Sequence, residues 1–124
     1  MISPIPTRAH VESRLRSLRG DLSELGVKRL ALFGSVARDE ASPDSDIDVL
    51  VEFQPGAKSF DRFMALADLL ENTLGHAVEL VTPESLSPYL APHILSNARD
   101  VVRAREFLRH IVVAPLPATG FSAS

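Results

Sequence analysis

The sequence predicts an α+β domain of mixed α/β character, in which a small mixed β-sheet is packed by helices. Apolar residues at helical spacing alternate along the chain with short strand-like apolar runs, the pattern of such a sheet. The 124 residues suffice for one core of ordinary size, and 45% hydrophobic against 23% charged residues is the balance of a folded globular chain.

Val11, Leu15, Leu18, Leu22 and Leu25 follow at steps of four, three, four and three, which lines up one apolar stripe on a helix from about Thr7 to Leu25. Gly26 ends it, and Gly20 within it costs about 1 kcal/mol relative to alanine. Val27 to Phe33 reads as a buried strand running into Gly34-Ser35, with a brief helical turn at Val36 to Arg38. The stretch from Asp39 to Asp46 carries turn formers and acids and feeds a second strand, Ile47 to Phe53. Phe60, Phe63, Ala67, Leu70 and Leu74, supported by Met64 and Leu66, mark a second long helix with Ser59 as N-cap and Gly75 as stop. The Phe60, Phe63 and Met64 cluster reads as core. Ala77 to Val81 is a third strand. Pro83, Pro88 and Pro92 then permit only short helical pieces before Ile94 to Ala98, and Arg99 to Val113 fits a strand or a helix. Residues 1–113 are expected to form a single domain and residues 114–124, rich in Pro, Ala, Ser and Thr, a mobile tail.

Several function classes fall away. No apolar run approaches the roughly 18 residues of a membrane span. The start Met-Ile-Ser-Pro-Ile-Pro lacks the pattern of a secretory signal, so a cytoplasmic location is expected. Without cysteine there is neither a thiolate metal site nor a Cys nucleophile, and the four histidines stand too far apart for ligand spacing. A net charge of -3 argues against direct nucleic-acid binding by the whole surface, so any polyanion is held locally.

The chemistry gathers where the first two strands meet. Gly34-Ser35 closes one strand, ten residues intervene, and Asp46-Ile47-Asp48 opens the next. Strand alternation sends Asp46 and Asp48 to one face and Ile47 to the other. Two carboxylates held together repel, and a divalent cation, Mg²⁺, is the expected compensation. Glycine lets backbone approach a ligand closely, and the serine offers a hydroxyl and N–H groups to an anion. A nucleoside triphosphate suits both halves, its phosphates on the Gly-Ser turn and its metal on the aspartates.

Blander readings stand beside these. The aspartates could form a solvated acidic turn, which the Gly-Ser pair at matching distance disfavours. A calcium loop starting at Asp44 fails because its sixth position is Val49 and its twelfth is Pro55. Glu79, flanked by Val78 and Leu80, is either a third carboxylate for the cleft or an exposed residue of an edge strand. Arg38 either pairs with Asp39 or Glu40 on the surface or faces the phosphates. Arg105 and His110 imitate an arginine-histidine nuclease motif by chance.

The runs Leu32-Phe33-Gly34-Ser35-Val36-Ala37-Arg38 and Pro43-Asp44-Ser45-Asp46-Ile47-Asp48-Val49-Leu50-Val51 resemble the minimal nucleotidyltransferase (MNT) family of the polymerase-β-like nucleotidyltransferases, from about Val11 to Ala104. The resemblance implies that fold, with Gly34, Ser35 and Arg38 at the triphosphate and Asp46, Asp48 and Glu79 as catalytic, metal-holding carboxylates. Glu79 stands where the family usually has an aspartate, and Asp39 where glycine is common. The resemblance further implies an antitoxin that transfers AMP from ATP to a tyrosine of a HEPN ribonuclease toxin, with which it would form a hetero-oligomer. Two alternatives remain: a nucleotide-binding subunit that masks its partner sterically, and transfer to a small molecule such as an aminoglycoside, for which the chain lacks a gripping second domain. The first helix and the Arg99 to Arg109 stretch are candidate partner contacts.

Overall fold

Thr7 sets the first helix: its hydroxyl accepts the His10 N–H at the start of α1 (Arg8–Arg16) in a computed structural model that describes residues 5–103. The helix expected to continue to Leu25 instead breaks and restarts as α2 (Arg19–Glu24). Ser17 turns its hydroxyl onto the Arg14 carbonyl at 2.6 Å, and the Leu18 N–H bonds Leu15 rather than a residue four back, tightening the chain ahead of Gly20. The apolar stripe survives this break, with Val11, Leu15, Leu18 and Leu22 all buried.

β1 (Val27–Phe33) and β2 (Ile47–Phe53) take the expected bounds, and between them α3 (Gly34–Ala37) begins at the Gly-Ser pair, two residues earlier than the sequence suggests. α4 (Phe60–Leu74) is capped by the Ser59 hydroxyl on the Arg62 N–H at 3.1 Å and ends at Gly75, which takes a φ of +73°. β3 (Val78–Val81), a 3₁₀ turn (Pro83–Ser85) and α5 (Ala91–Asn97) follow. Arg99 onward, ambiguous in sequence, starts as a strand, β4 (Arg99–Arg103). Residues 104–113, with Arg105 and His110, and the 114–124 tail lie outside the described residues.

The sheet order is β3-β2-β1-β4, with β1 antiparallel to both β2 and β4, and β3 parallel to β2. It is the mixed sheet the sequence predicts, its parallel pair joined through α4. Leu30, Leu32, Ile47, Val49 and Val51 from the sheet share one core with Leu15, Leu22, Leu66 and Leu70 from the helices. The core face of α4 departs from the reading above: Leu66, Leu70 and Leu74 are buried and Phe63 packs partly against them, whereas Phe60 is 76% and Met64 43% exposed. Phe60 opens the helix and Met64 sits one turn on, so both lie on a stripe turned away from Leu66 and Leu70.

Alternation puts Arg29 on the sheet face opposite Leu30. There it pairs with Glu52 of β2 at 2.7 Å and Asp100 of β4 at 2.6 Å, while Arg103 also bonds Asp100. The half-buried arginine thus ties three strands. Arg29→Met should lower unfolding free energy in urea by about 1–3 kcal/mol, because two half-buried carboxylates lose their shared cation.

This topology decides where the site lies. The C-terminal end of β1 and the N-terminal ends of β2, β3 and β4 all meet at one edge of the molecule.

Candidate active site

Gly34 leaves β1 in the left-handed region, with φ +73°. Its neighbour Phe33 pairs with Asp48 across the β1–β2 ladder, which brings the Asp48 side chain over the turn. A Cβ on Gly34 would land on Asp48 Oδ2, closer than atoms can approach, and 3.0 Å from Cγ. Two independent constraints therefore require glycine here. Ser35 follows, half-buried, within the first turn of α3.

Asp48 and Glu79 are register partners in the parallel β2–β3 ladder, so their side chains share a face. Burial is the largest influence on Asp48, followed by the adjacent Glu79 carboxylate and the Asp46 charge; Arg38 opposes them. The net effect pushes the Asp48 carboxyl from 3.8 up to about 6. Glu79 is an exposed residue on an edge strand, as one of the two readings has it, and its carboxylate stands beside that of Asp48. Asp46 is exposed and acts on Asp48 through its charge. Among the described residues, no three His, Asp or Glu side chains are gathered at metal-ligating geometry. The donor chemistry nevertheless suits Mg²⁺, a hard cation that takes one or two protein carboxylates and completes its shell with water and phosphate oxygens.

The raised pKa has a signed consequence. Asp48 is ionised above about pH 6 and protonated below it, and a cation must displace that proton to bind. Divalent-cation affinity should be flat above about pH 7 and fall by up to tenfold per unit below about pH 6, as read by calorimetry at pH 5 to 8. In the cation-free protein the same group works the other way. Its carboxylate is destabilised by folding, so the penalty stands above about pH 6 and is relieved as the pH falls towards 3.8.

Arg38 makes one of the surface pairings the sequence allows. Its Nε donates to Glu40 Oε1 at 2.9 Å, both side chains exposed, yet its charge reaches Asp48. Asp39 adopts a φ of +57°, a conformation glycine takes without strain, and its Oδ1 accepts the Arg8 N–H at 2.9 Å.

Beside the turn opens a cleft of about 660 Å³. Gly34 and Arg38 line it together with Arg8, Arg99, His93 and Asn97, and its apolar lining includes Phe33, Leu90 and Ile94. The sequence did not single out Arg8, His93, Asn97 or Arg99 as site residues. Arg99 could not be placed while its segment was ambiguous. The one available signal was Glu12, an acid on the apolar side of α1 spaced four residues from both Arg8 and Arg16.

Residues 15–101 match the family described as nucleotidyltransferase domain. The chain is 39% identical over 97 residues to protein adenylyltransferase MntA of Thermococcus cleftensis, an alignment spanning 77% of this chain and 94% of that relative. A solved structure assigned to the minimal nucleotidyltransferases superposes with a TM-score of 0.66 at 34% identity, covering 74% of this chain and 93% of that one. A chain from the complex of a tri-AMPylated Shewanella oneidensis HEPN toxin with an MNT antitoxin superposes with a TM-score of 0.56 at 20% identity, covering 86% of this chain and 82% of that one. The last likeness is one of fold.

Proposed function

The chain belongs to the nucleotidyltransferase domain family and is an enzyme, and on that premise we propose that it is an antitoxin of the minimal type that moves AMP from ATP, with Mg²⁺, onto a tyrosine of a HEPN-type toxin. The observation that carries this reading is the contact between the Gly34 turn and the Asp48 carboxylate, with Glu79 beside it. A turn able to hold phosphate and a pair of acids able to hold a cation then share one ligand.

Asp46 and Asp48 would hold the cation, which when bound supplies positive charge to the phosphate oxygens. Gly34 and Ser35 offer backbone close approach and a hydroxyl to the triphosphate, and Arg38 lies at the same edge with its charge unburied. The acceptor hydroxyl forms a bond to the α-phosphorus as the bond to the pyrophosphate oxygen breaks. Its proton passes to the Glu79 carboxylate, placed next to Asp48. What the protein contributes is position and electrostatics. The partner is supported by the complex of the structural neighbour. The exposed Phe60 and Met64 on α4, and Tyr89 and Leu90 before α5, give apolar surface for a protein to cover.

Incubation with ATP labelled on the α-phosphate, Mg²⁺ and a HEPN-type toxin should transfer label to the toxin at a tyrosine, located by mass spectrometry. Steric masking is the second outcome. Its mark would be toxin neutralised in cells by a chain carrying both Asp46→Asn and Asp48→Asn, with no label transferred by wild type.

A further inference from the structure

Tyr89 is the one tyrosine of the chain, and it is 91% exposed. An aromatic ring ordinarily hides most of its apolar area, so a ring left this bare calls for a reason. It does not sit on a loose tip. Pro88 fixes the backbone just before it, and Ser87 closes the turn around it: the Leu90 N–H donates to the Ser87 carbonyl at 3.1 Å and to the Ser87 hydroxyl at 3.2 Å, and the Ala91 N–H to the same carbonyl at 2.9 Å. Ser87, Pro88, Tyr89 and Leu90 are all exposed, and α5 starts directly after them. The fold thus holds this ring out on a stiff turn.

The direction in which the turn presents Tyr89 follows from its neighbour. Leu90 lines the cleft beside Gly34, as do His93, Ile94 and Asn97 of α5, and Tyr89 does not. Leu90 already has helical backbone, with φ −90° and ψ −28°, and successive helical residues point about 100° apart. A Leu90 side chain on the cleft wall therefore turns Tyr89 out of its own chain's cleft and towards other molecules. At the receiving end, Asp46 and Glu79 are exposed at the edge where the strand ends meet, so a tyrosine carried by another polypeptide has access to them.

We propose that Tyr89 is a self-modification site, at which one copy of the enzyme transfers AMP from ATP to the Tyr89 hydroxyl of a second copy. This rests on the nucleotidyltransferase reading and adds a second acceptor to it. A transferase that acts on a tyrosine of a folded protein needs that tyrosine bare and on a segment that protrudes, and Tyr89 meets both conditions. Its Oη forms a bond to the α-phosphorus as the bond from that phosphorus to the pyrophosphate oxygen breaks. Pyrophosphate leaves, and the phenol proton passes to the Glu79 carboxylate of the copy that holds the ATP. The product is a phosphodiester between Tyr89 and AMP, and no further reactant is required.

The test mixes a small molar fraction of wild type with an excess of a size-tagged Asp48→Asn chain, ATP labelled on the α-phosphate and Mg²⁺. The tagged chain transfers nothing itself but keeps Tyr89, so label on it reads transfer between copies. Label should appear on the tagged chain, at Tyr89 by mass spectrometry. It should be lost altogether when the tagged chain also carries Tyr89→Phe, which removes one exposed hydroxyl and leaves the fold alone. In wild type by itself, the label per chain should rise with protein concentration, as a reaction between two copies requires. An unlabelled tagged chain, in a preparation of wild type that labels a HEPN-type toxin, would overturn the self-modification and leave the toxin reading intact; label on neither would overturn both. Label that persists on the Asp48→Asn, Tyr89→Phe chain, or that wild type confines to itself, would also overturn the proposal, since the acceptor would then be another residue or lie within one molecule.

Discussion

Replacing Asp48 with asparagine should abolish AMP transfer and, in the same preparation, raise the melting temperature of the cation-free protein. Both effects come from one carboxylate. Its burial and its neighbours Glu79 and Asp46 push its pKa up to about 6, so at pH 7.5 the folded protein holds an ionised group in a place that disfavours it. Asparagine keeps the shape and removes the charge. After allowance for partial exposure, the gain is about 1–2 kcal/mol, or several degrees for a domain of this size. The loss in transfer should be on the order of a thousandfold or more, since in the proposed reaction this carboxylate holds the cation beside the reacting phosphorus. At pH 4.5 the stability difference between wild type and variant should shrink, because wild-type Asp48 is then largely protonated. Asp46→Asn, at an exposed position, should lose transfer with little change in melting temperature. A site that lowers stability in exchange for charge is the usual trade at catalytic groups.

Gly34→Ala is the second large effect. The left-handed φ of +73° costs a non-glycine residue about 1–2 kcal/mol, and the new methyl meets the Asp48 carboxyl group on top of that. Either the turn opens or Asp48 is driven off its position, and each separates the backbone proposed to hold phosphate from the Asp48 carboxylate. Transfer should fall at least about a hundredfold, since small displacements of reacting groups cost that much. Urea unfolding should show a loss of about 2–3 kcal/mol. Gly20→Ala is the matched control. It sits within α2, and the space its methyl would take has no atom within 4 Å, so it should gain up to about 1 kcal/mol from helix propensity and leave transfer unchanged.

The strands, the caps at Ser59 and Gly75, and the meeting of the Gly-Ser turn with Asp48 were legible because each is a matter of short-range pattern. Alternation fixes which face Asp48 takes, and a glycine after a strand marks a turn. The break in the first helix was harder to read, because the periodic stripe of Val11, Leu15, Leu18 and Leu22 continues across it and only the Ser17 back-bond reveals it. Phe60 and Met64 were read as core on composition, but a helix buries one stripe, and Leu66, Leu70 and Leu74 occupy it. The cluster of Arg8, Arg16 and Arg99 about Glu12 was invisible for a different reason. Arg8 and Arg99 are far apart in the chain, and they meet at Glu12 only once β4 has paired with β1. Long-range pairing of that kind leaves no periodic trace in a single sequence.

The most direct measurement is binding of Mn²⁺–ATP at pH 7.5, followed by the enhancement of water-proton relaxation that protein-bound Mn²⁺ gives over Mn²⁺–ATP in solution, for wild type and for the Asp46→Asn, Asp48→Asn double variant. Wild type should take up the ion with ATP bound and the double variant should leave it as free Mn²⁺–ATP. Equal uptake by both proteins would contradict the assignment of these two carboxylates to a shared cation and nucleotide site.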